Sequence, residues 1–277
     1  MAPRTKKLEP PRRGRDGYYT LPDGTKCFSV TNIIQHGIPK DLTGWAGWEA
    51  GLLAVDSVPT LVRLRGEAER RKAAYWIGQQ STRIKKKAGD LGTAVHDAIE
   101  ADILGKPMDD PTEEQQPFID AYFRFKENER PEYEATELVL AHPTDGWAGR
   151  GDVWLTLPNY GPALLMGDWK SGSGVYPEAG LQLSAYRRAP VAWTKDGQEV
   201  VPPKTESAVV VHIRPDKYPD TGYRIYPMDT SDAVYESFLD ARRVAINWSK
   251  GLSASVVGEP WEPIQVAEVV EDVEEVA

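Results

Sequence analysis

Cysteine is nearly missing from this chain of 277 residues. The single one, Cys27, excludes an internal disulfide and a cysteine-held iron–sulfur cluster. No apolar run approaches the ~18 residues that a membrane-crossing helix needs. The opening stretch MAPRTKKLEPPRRGRDG is basic and has no apolar centre. It therefore does not read as a secretory signal, and the expectation is a cytoplasmic protein with no membrane contact. No internal repeat is visible, which argues against a solenoid or propeller. What remains is ordinary globular material, 40% hydrophobic and 27% charged. The length suffices for one large domain or two small ones.

Positive charge is in deficit, with a net charge of -9, but the deficit is local. The segment from Glu259 to Ala277 has seven acidic residues and no lysine or arginine. By contrast, LVRLRGEAERRKAAYWIGQQSTRIKKK, from Leu61 to Lys87, has nine basic residues against two glutamates. A chain with such blocks can bind a phosphate backbone whatever its total charge, although a solvated basic helix gives the same pattern. Residues 1–16, with their prolines and basic clusters, read as a disordered arm, and 258–277 as an acidic, disordered tail.

Between these ends the texture changes once. GYYTLPDGTKCFSV reads as a hairpin. Helical spacing follows at about Asp41–Val55 and Thr60–Gln79, then from near Gly89, and again after Asp109 or Thr112. Short β-rich segments come next: ATELVLAH, GRGDVWLTL, ALLMGDWKS, SAVVVHIRP and GYRIYPM. A helical pattern over YPEAGLQLSAYRRAPVAW separates the third from the fourth, and TSDAVYESFLDARRVAINWSK ends the series as an amphipathic helix. This order predicts one α/β domain with a mixed sheet covered by helices.

The stretch LLMGDWKSGSG, Leu164 to Gly174, first suggests a phosphate-cradling loop. That loop needs a glycine directly before its lysine and a helix directly after Lys-Ser. Trp169 precedes Lys170, and SGSGVYP does not open a helix. Read as a strand, the same residues put Asp168 and Lys170 on one face and Leu165, Gly167 and Trp169 on the other. In the preceding strand Val153, Leu155 and Leu157 form an apolar face, with Asp152 on the opposite one. The linker PNYGP is short enough for the two strands to pair antiparallel. Two carboxylates and an ammonium are then expected to converge on one sheet face. Close carboxylates repel unless a cation lies between them, and hard oxygen ligands suit Mg²⁺ or Mn²⁺. A surface Asp–Lys pair is the plainer alternative, worth ~0–1 kcal/mol. In GTAVHDAIE, His96 and Glu100 share a helical face, as would a structural histidine with an ion-pairing glutamate. In LQLSAYRRA, Gln182 and Tyr186 share a face beside Arg187 and Arg188. Such groups bond phosphate or base edges, or belong to an ordinary amphipathic helix.

Taken in order, these pieces resemble the RecB-like branch of the PD-(D/E)XK nuclease superfamily. The matching residues are Gly92, His96 and Glu100, then Glu137, then Gly149 with Asp152, then Asp168 with Lys170, and last Gln182 with Tyr186. Together they span roughly a third of the chain. FSVTNIIQHGIPKDLTGWAGWEAG is similar, more loosely, to a stretch found in phage-encoded exonucleases of this branch. The resemblance implies a restriction-endonuclease-like mixed central sheet flanked by helices. The domain would cover 17–257, with a helical lead-in over 17–88 and a core over 89–250. It implies a DNA exonuclease dependent on Mg²⁺ or Mn²⁺ and lacking an iron–sulfur cluster. His96, Asp152 and Asp168 would hold the metal, with the carbonyl after Asp168 as an extra ligand. Lys170, Asp168, Asp152 and Glu137 would be catalytic, with Gly92 and Glu100 in support. Gln182, Tyr186, Arg187, Arg83, Lys85, Lys86 and Lys87 would contact DNA. A DNA endonuclease and an inactive DNA-binding module are the alternatives. A homo-oligomer and a single-strand annealing partner, the latter met by the acidic tail, are both compatible with this reading.

Overall fold

The computed structural model describes residues 9–249 and 251–258. The segments rich in β-branched and aromatic residues all join one sheet. A hairpin comes first, β1 (Tyr18–Thr20) and β2 (Lys26–Ser29), with Tyr18 opposite Phe28. Ser29 then caps α1 (Val30–Gly37), its hydroxyl accepting from the Asn32 amide at 3.2 Å. The helices α2 (Thr43–Asp56), α3 (Val58–Leu61), α4 (Glu67–Gly78), α5 (Gln80–Ile103) and α6 (Gln116–Glu129) follow. Next come β3 (Glu132–His142), β4 (Trp147–Thr156), β5 (Leu164–Lys170) and α7 (Glu178–Tyr186). The order closes with β6 (Val191–Trp193), β7 (Glu199–Val200), β8 (Ser207–Ile213), β9 (Tyr223–Met228) and α8 (Asp232–Arg243). No helix among the described residues is long and apolar enough to cross a membrane.

The sheet runs β7-β6-β3-β4-β5-β8-β9, with β2 added beside β4. Its pairs are antiparallel except β5 with β8 and β2 with β4. The expected α/β class with a mixed sheet is thus present. One face is covered by α1, α7 and α8 over a core that includes Phe28, Trp147, Trp154, Met166 and Phe238. The other is covered by α5 and α6 over Val95, Ile99, Tyr122, Phe125 and Trp169. A smaller cluster around Tyr19, Cys27, Val139 and Trp193 closes the hairpin end. Burial of these apolar faces at roughly 25 cal/mol per Å² is the main stabilising term.

β4 and β5 do pair antiparallel, but only from Thr156–Leu164 to Val153–Gly167. Beyond that point β4 pairs with β2 through Phe28–Trp147 and Ser29–Ala148, while β5 stays with β8 through Lys170–His212. The two strands therefore fork at Asp152 and Asp168. Strand alternation also breaks there. Trp147 and Trp154 share one core although they are an odd number of positions apart in sequence, as do Leu138 and the packed Ala135. Glu137, between them, has φ 55°, a left-handed conformation that interrupts the regular pleat. The expectation that Asp152 and Asp168 share one sheet face is corrected accordingly. Asp152 reaches toward α5, and Asp168 toward α7.

Other expectations also shift. The helix expected over Thr60–Gln79 is broken between α3 and α4, and the helix expected from Gly89 starts nine residues earlier, at Gln80. Lys85 to Lys87 thus ride on the same helix as His96. The helix expected to run to Trp193 ends at Tyr186. Pro190 disfavours helix at the residue before it, and β6 and β7 follow instead. Residues 9–16, expected as arm, are tied down from Arg13, which bridges Tyr19 and donates to Asn32 Oδ1 at 2.6 Å. Residues 1–8 and the acidic segment 259–277 lie outside the described residues.

Tyr186 is buried against Gly149, where an added Cβ would lie 2.4 Å from the tyrosine Oη. Gly149→Ala is expected to lose about 1–3 kcal/mol in urea unfolding, the usual penalty for overpacking. A loss below ~0.5 kcal/mol would show that Tyr186 moves aside freely.

Candidate metal centre

The fork is where the polar groups gather. His96 projects from α5, Glu137 from β3 and Asp152 from β4, and their candidate ligand atoms all lie within 4.8 Å of one another. Each is held by its own element. Val95 and Ile99, on either side of His96 in sequence, anchor α5 in the core. The Trp169 carbonyl takes a hydrogen bond from His96 Nε2 at 2.8 Å. A carbonyl only accepts, so Nε2 is the donor here and Nδ1 is the nitrogen turned to Asp152. That nitrogen lies 3.6 Å from Asp152 Oδ2. The Trp169 amide in turn donates to Asp152 Oδ2 at 3.1 Å. The Trp169 ring on the far side packs edge-on against Tyr122 and Phe125. One residue of β5 thereby fixes two members of the group through its backbone.

Glu137 is buried, and its left-handed backbone costs on the order of 1–3 kcal/mol. Burial pushes its carboxyl up to about 7, and neighbouring Asp152 adds to the rise against the pull of Arg150. Asp168 and Lys170 stand beside the trio. Burial also raises the Asp168 carboxyl, which Lys170 partly offsets. Burial pulls the Lys170 ammonium down, but the charges of Asp168 and Asp152 outweigh it and leave its pKa raised. Lys170 therefore stands as a cation. Its Nζ lies 2.6 Å from the buried Asp168 Oδ2, a close ion pair. Gln182 Nε2 donates to the other oxygen at 3.3 Å. Beyond Lys170 the loop is fastened by His212 Nε2 to the Gly172 carbonyl at 2.8 Å and by Arg214 to the Ser171 carbonyl at 3.3 Å.

One imidazole and two close carboxylates, with the buried Asp168 carboxylate nearby, form a donor set that fits a small divalent cation. Within 4.8 Å the structure groups Glu137, rather than Asp168, with His96 and Asp152. The Trp169 carbonyl, expected as an extra ligand, is engaged by His96. Glu100 lies one turn past His96 and is ion-paired with Lys195. Gly92 lines the same cleft as His96, Glu137 and Asp152. Tyr186 is enclosed beneath the site rather than facing outward.

Arg187, expected to contact DNA, is engaged within the fold. Its guanidinium donates to Thr205 Oγ1, to the Thr205 and Glu206 carbonyls and to Thr230 Oγ1, so it ties α7 to two loops and leaves little for a phosphate. Lys86 and Lys87 are paired at the surface with Asp90 and Glu114 at 2.6 and 3.0 Å. Arg83 and Lys85 lie over the rings of Trp76 and Trp45. Two cations escaped sequence reasoning. Arg150 lies 3.3 Å from Glu137 and is more than half exposed, and its i, i+2 spacing to Asp152 was a usable signal. Lys195 arrives by a turn between β6 and β7, which Asp196–Gly197 signals in the sequence, but nothing local brings it to Glu100. Neither protein-family models nor curated proteins match this chain.

Two expectations follow. The raised Glu137 pKa means the folded chain holds a proton that the unfolded chain releases. That stability is fully present below the ordinary value of 4.5 and lost as pH rises through about 7. In chelator, melting should therefore fall across that window, and Glu137→Gln should flatten the fall. Equal slopes for the two proteins would remove Glu137 from this role. Calorimetric titration with Mn²⁺ should show Asp152→Asn weakening binding by at least ~10-fold, with Asp168→Asn the lesser loss. The reverse order would return Asp168 to the centre of the group.

Proposed function

We propose that this chain is a DNA nuclease dependent on Mg²⁺ or Mn²⁺, of the PD-(D/E)XK kind, with a restriction-endonuclease-like arrangement of its sheet. The observation that carries this reading is the meeting of His96, Glu137 and Asp152 within 4.8 Å, beside the Asp168–Lys170 pair, where β4 and β5 part. His96, Glu137 and Asp152 would hold the metal, with Asp168 alongside. When bound, a divalent cation polarises a phosphodiester and lowers the pKa of a water molecule.

The rest of the chemistry falls to the chain itself. Lys170 supplies a fixed ammonium at the fork, suited to a phosphate oxygen and to the charge that builds as the bond to the leaving oxygen breaks. Asp168 holds that ammonium in place, and Gln182 holds Asp168. Arg150, more than half exposed, offers a fork-shaped donor for phosphate. Tyr186 supports β4 from below through Gly149. Exonuclease action is the form favoured by the looser likeness to phage enzymes.

The test uses end-labelled linear duplex beside covalently closed circular DNA, with Mg²⁺, Mn²⁺ or chelator. Metal-dependent loss of the linear form alone is expected. Lys170→Ala should abolish it while Mn²⁺ still binds. Cutting of the circle would make the protein an endonuclease, and binding without cutting would leave a DNA-binding module. Cleavage by Lys170→Ala at the wild-type rate would remove the lysine from the chemistry.

A further inference from the structure

The segment from α2 to α4 adds nothing to the cores. None of the residues of α2, α3 or α4 is buried. These helices pack on one another and on α5, where Trp76 meets Arg83 and Trp45 meets Lys85. Their large apolar side chains face solvent. Trp48 is 68% exposed, Trp76 49% and Tyr75 72%. On α2 the apolar residues Trp45, Trp48, Leu52 and Val55 recur at spacings of three and four, which puts them on one stripe. Such a stripe would ordinarily be buried.

Cations are interleaved with these rings. Leu61 to Lys87 carries nine basic residues against two glutamates. Arg83 lies 4.8 Å from the Trp76 ring centre, and Lys85 5.4 Å from that of Trp45. Rings beside cations match a strand whose bases are unpaired, because only then are base faces free to stack on an indole. A closed duplex would engage the cations and leave the rings idle.

The surface also leads to the metal centre. Lys85 and His96 are eleven residues apart on α5, which is three full turns, so they share a face about 16 Å apart. Gly89 and Gly92 lie between them on that face. A Cβ at Gly89 would meet nothing, and one at Gly92 only Ser171 Oγ at 3.4 Å, so the path is open to a ligand. At ~3.4 Å per stacked nucleotide the path spans roughly five nucleotides.

We infer that α2, α4 and the first half of α5 form a docking surface for single-stranded DNA, which stacks on Trp48 and its neighbours and runs along α5 to His96. This rests on the nuclease reading for the destination of the strand, though not for its binding. The preferred substrate is then a linear DNA with a single-stranded end of at least ~5 nucleotides.

Fluorescence anisotropy of the full chain in chelator separates the two ideas, since no cleavage is needed. For labelled oligo-dT longer than that path, Trp48→Ala should weaken binding roughly tenfold, and Trp48→Phe should restore most of it. Blunt duplex binding should not change, and melting should stay at the wild-type value. Equal losses on both DNAs, no loss on oligo-dT, or a Trp48-dependent self-association without a DNA effect would each overturn the docking surface. If Trp48 governs oligo-dT binding and the metal-loaded chain cuts nothing, the surface stands and the nuclease reading falls. If the chain cuts DNA and Trp48→Ala binds oligo-dT normally, the surface alone falls.

Discussion

The parting of β4 from β5 after the Val153–Gly167 pair organises the rest of the structure. An unbroken antiparallel ladder would keep Asp152 and Asp168 beside each other on a pleated surface, where two buried carboxylates repel. Inserting β2 beside β4 opens the sheet at that level, and the side chains of three layers can then meet. Trp169 shows how tightly the opening is built. Its ring is fixed in one core, and its amide and carbonyl hold Asp152 and His96. The left-handed backbone at Glu137 belongs to the same break, because a regular strand would continue its alternation through that residue.

Electrostatics at the fork are unbalanced in a directed way. Two carboxyls, Glu137 and Asp168, are raised by burial, while Lys170 is kept protonated by its acidic neighbours. An ordinary surface ion pair would not produce this pattern, since solvent would screen it. The desolvation of buried acids disfavours their charge and leaves a strong demand for a cation. Arg150 and Lys195 meet part of that demand from the rim, through Glu137 and Glu100. The backbone strain and the desolvation sit in one place, and both bear on residues that converge from different elements.

The helical arm obeys a different logic. It has aromatic and aliphatic side chains in quantity, yet they remain outside the cores. Its link to the rest is α5, a helix of 24 residues whose second half is locked into the core and whose first half carries the arm. One continuous helix thus couples an exposed cationic surface to His96 without a hinge between them.

The sequence by itself determined the class of fold and most of the element order. Alternation in β5 and helical spacing in α6 and α8 are local signals that packing did not override. It also singled out His96, Asp152, Asp168, Lys170 and Gln182, because their spacing along strands and helices is a local matter too, whereas Glu137 came only from the family resemblance. Only the tertiary structure decided how they meet. The fork depends on which strand pairs with which, and no property of Asp152 or Asp168 announces that β4 goes on to pair with β2. The partners of Arg187, the arrival of Lys195 at Glu100 and the enclosure of Tyr186 follow from long-range packing for the same reason. The uninterrupted course of α5 through Gly89 and Gly92 went against local propensity. Two glycines weaken an isolated helix by ~1 kcal/mol each, and the packing of Val95 and Ile99 with the support of α2 overrides that cost.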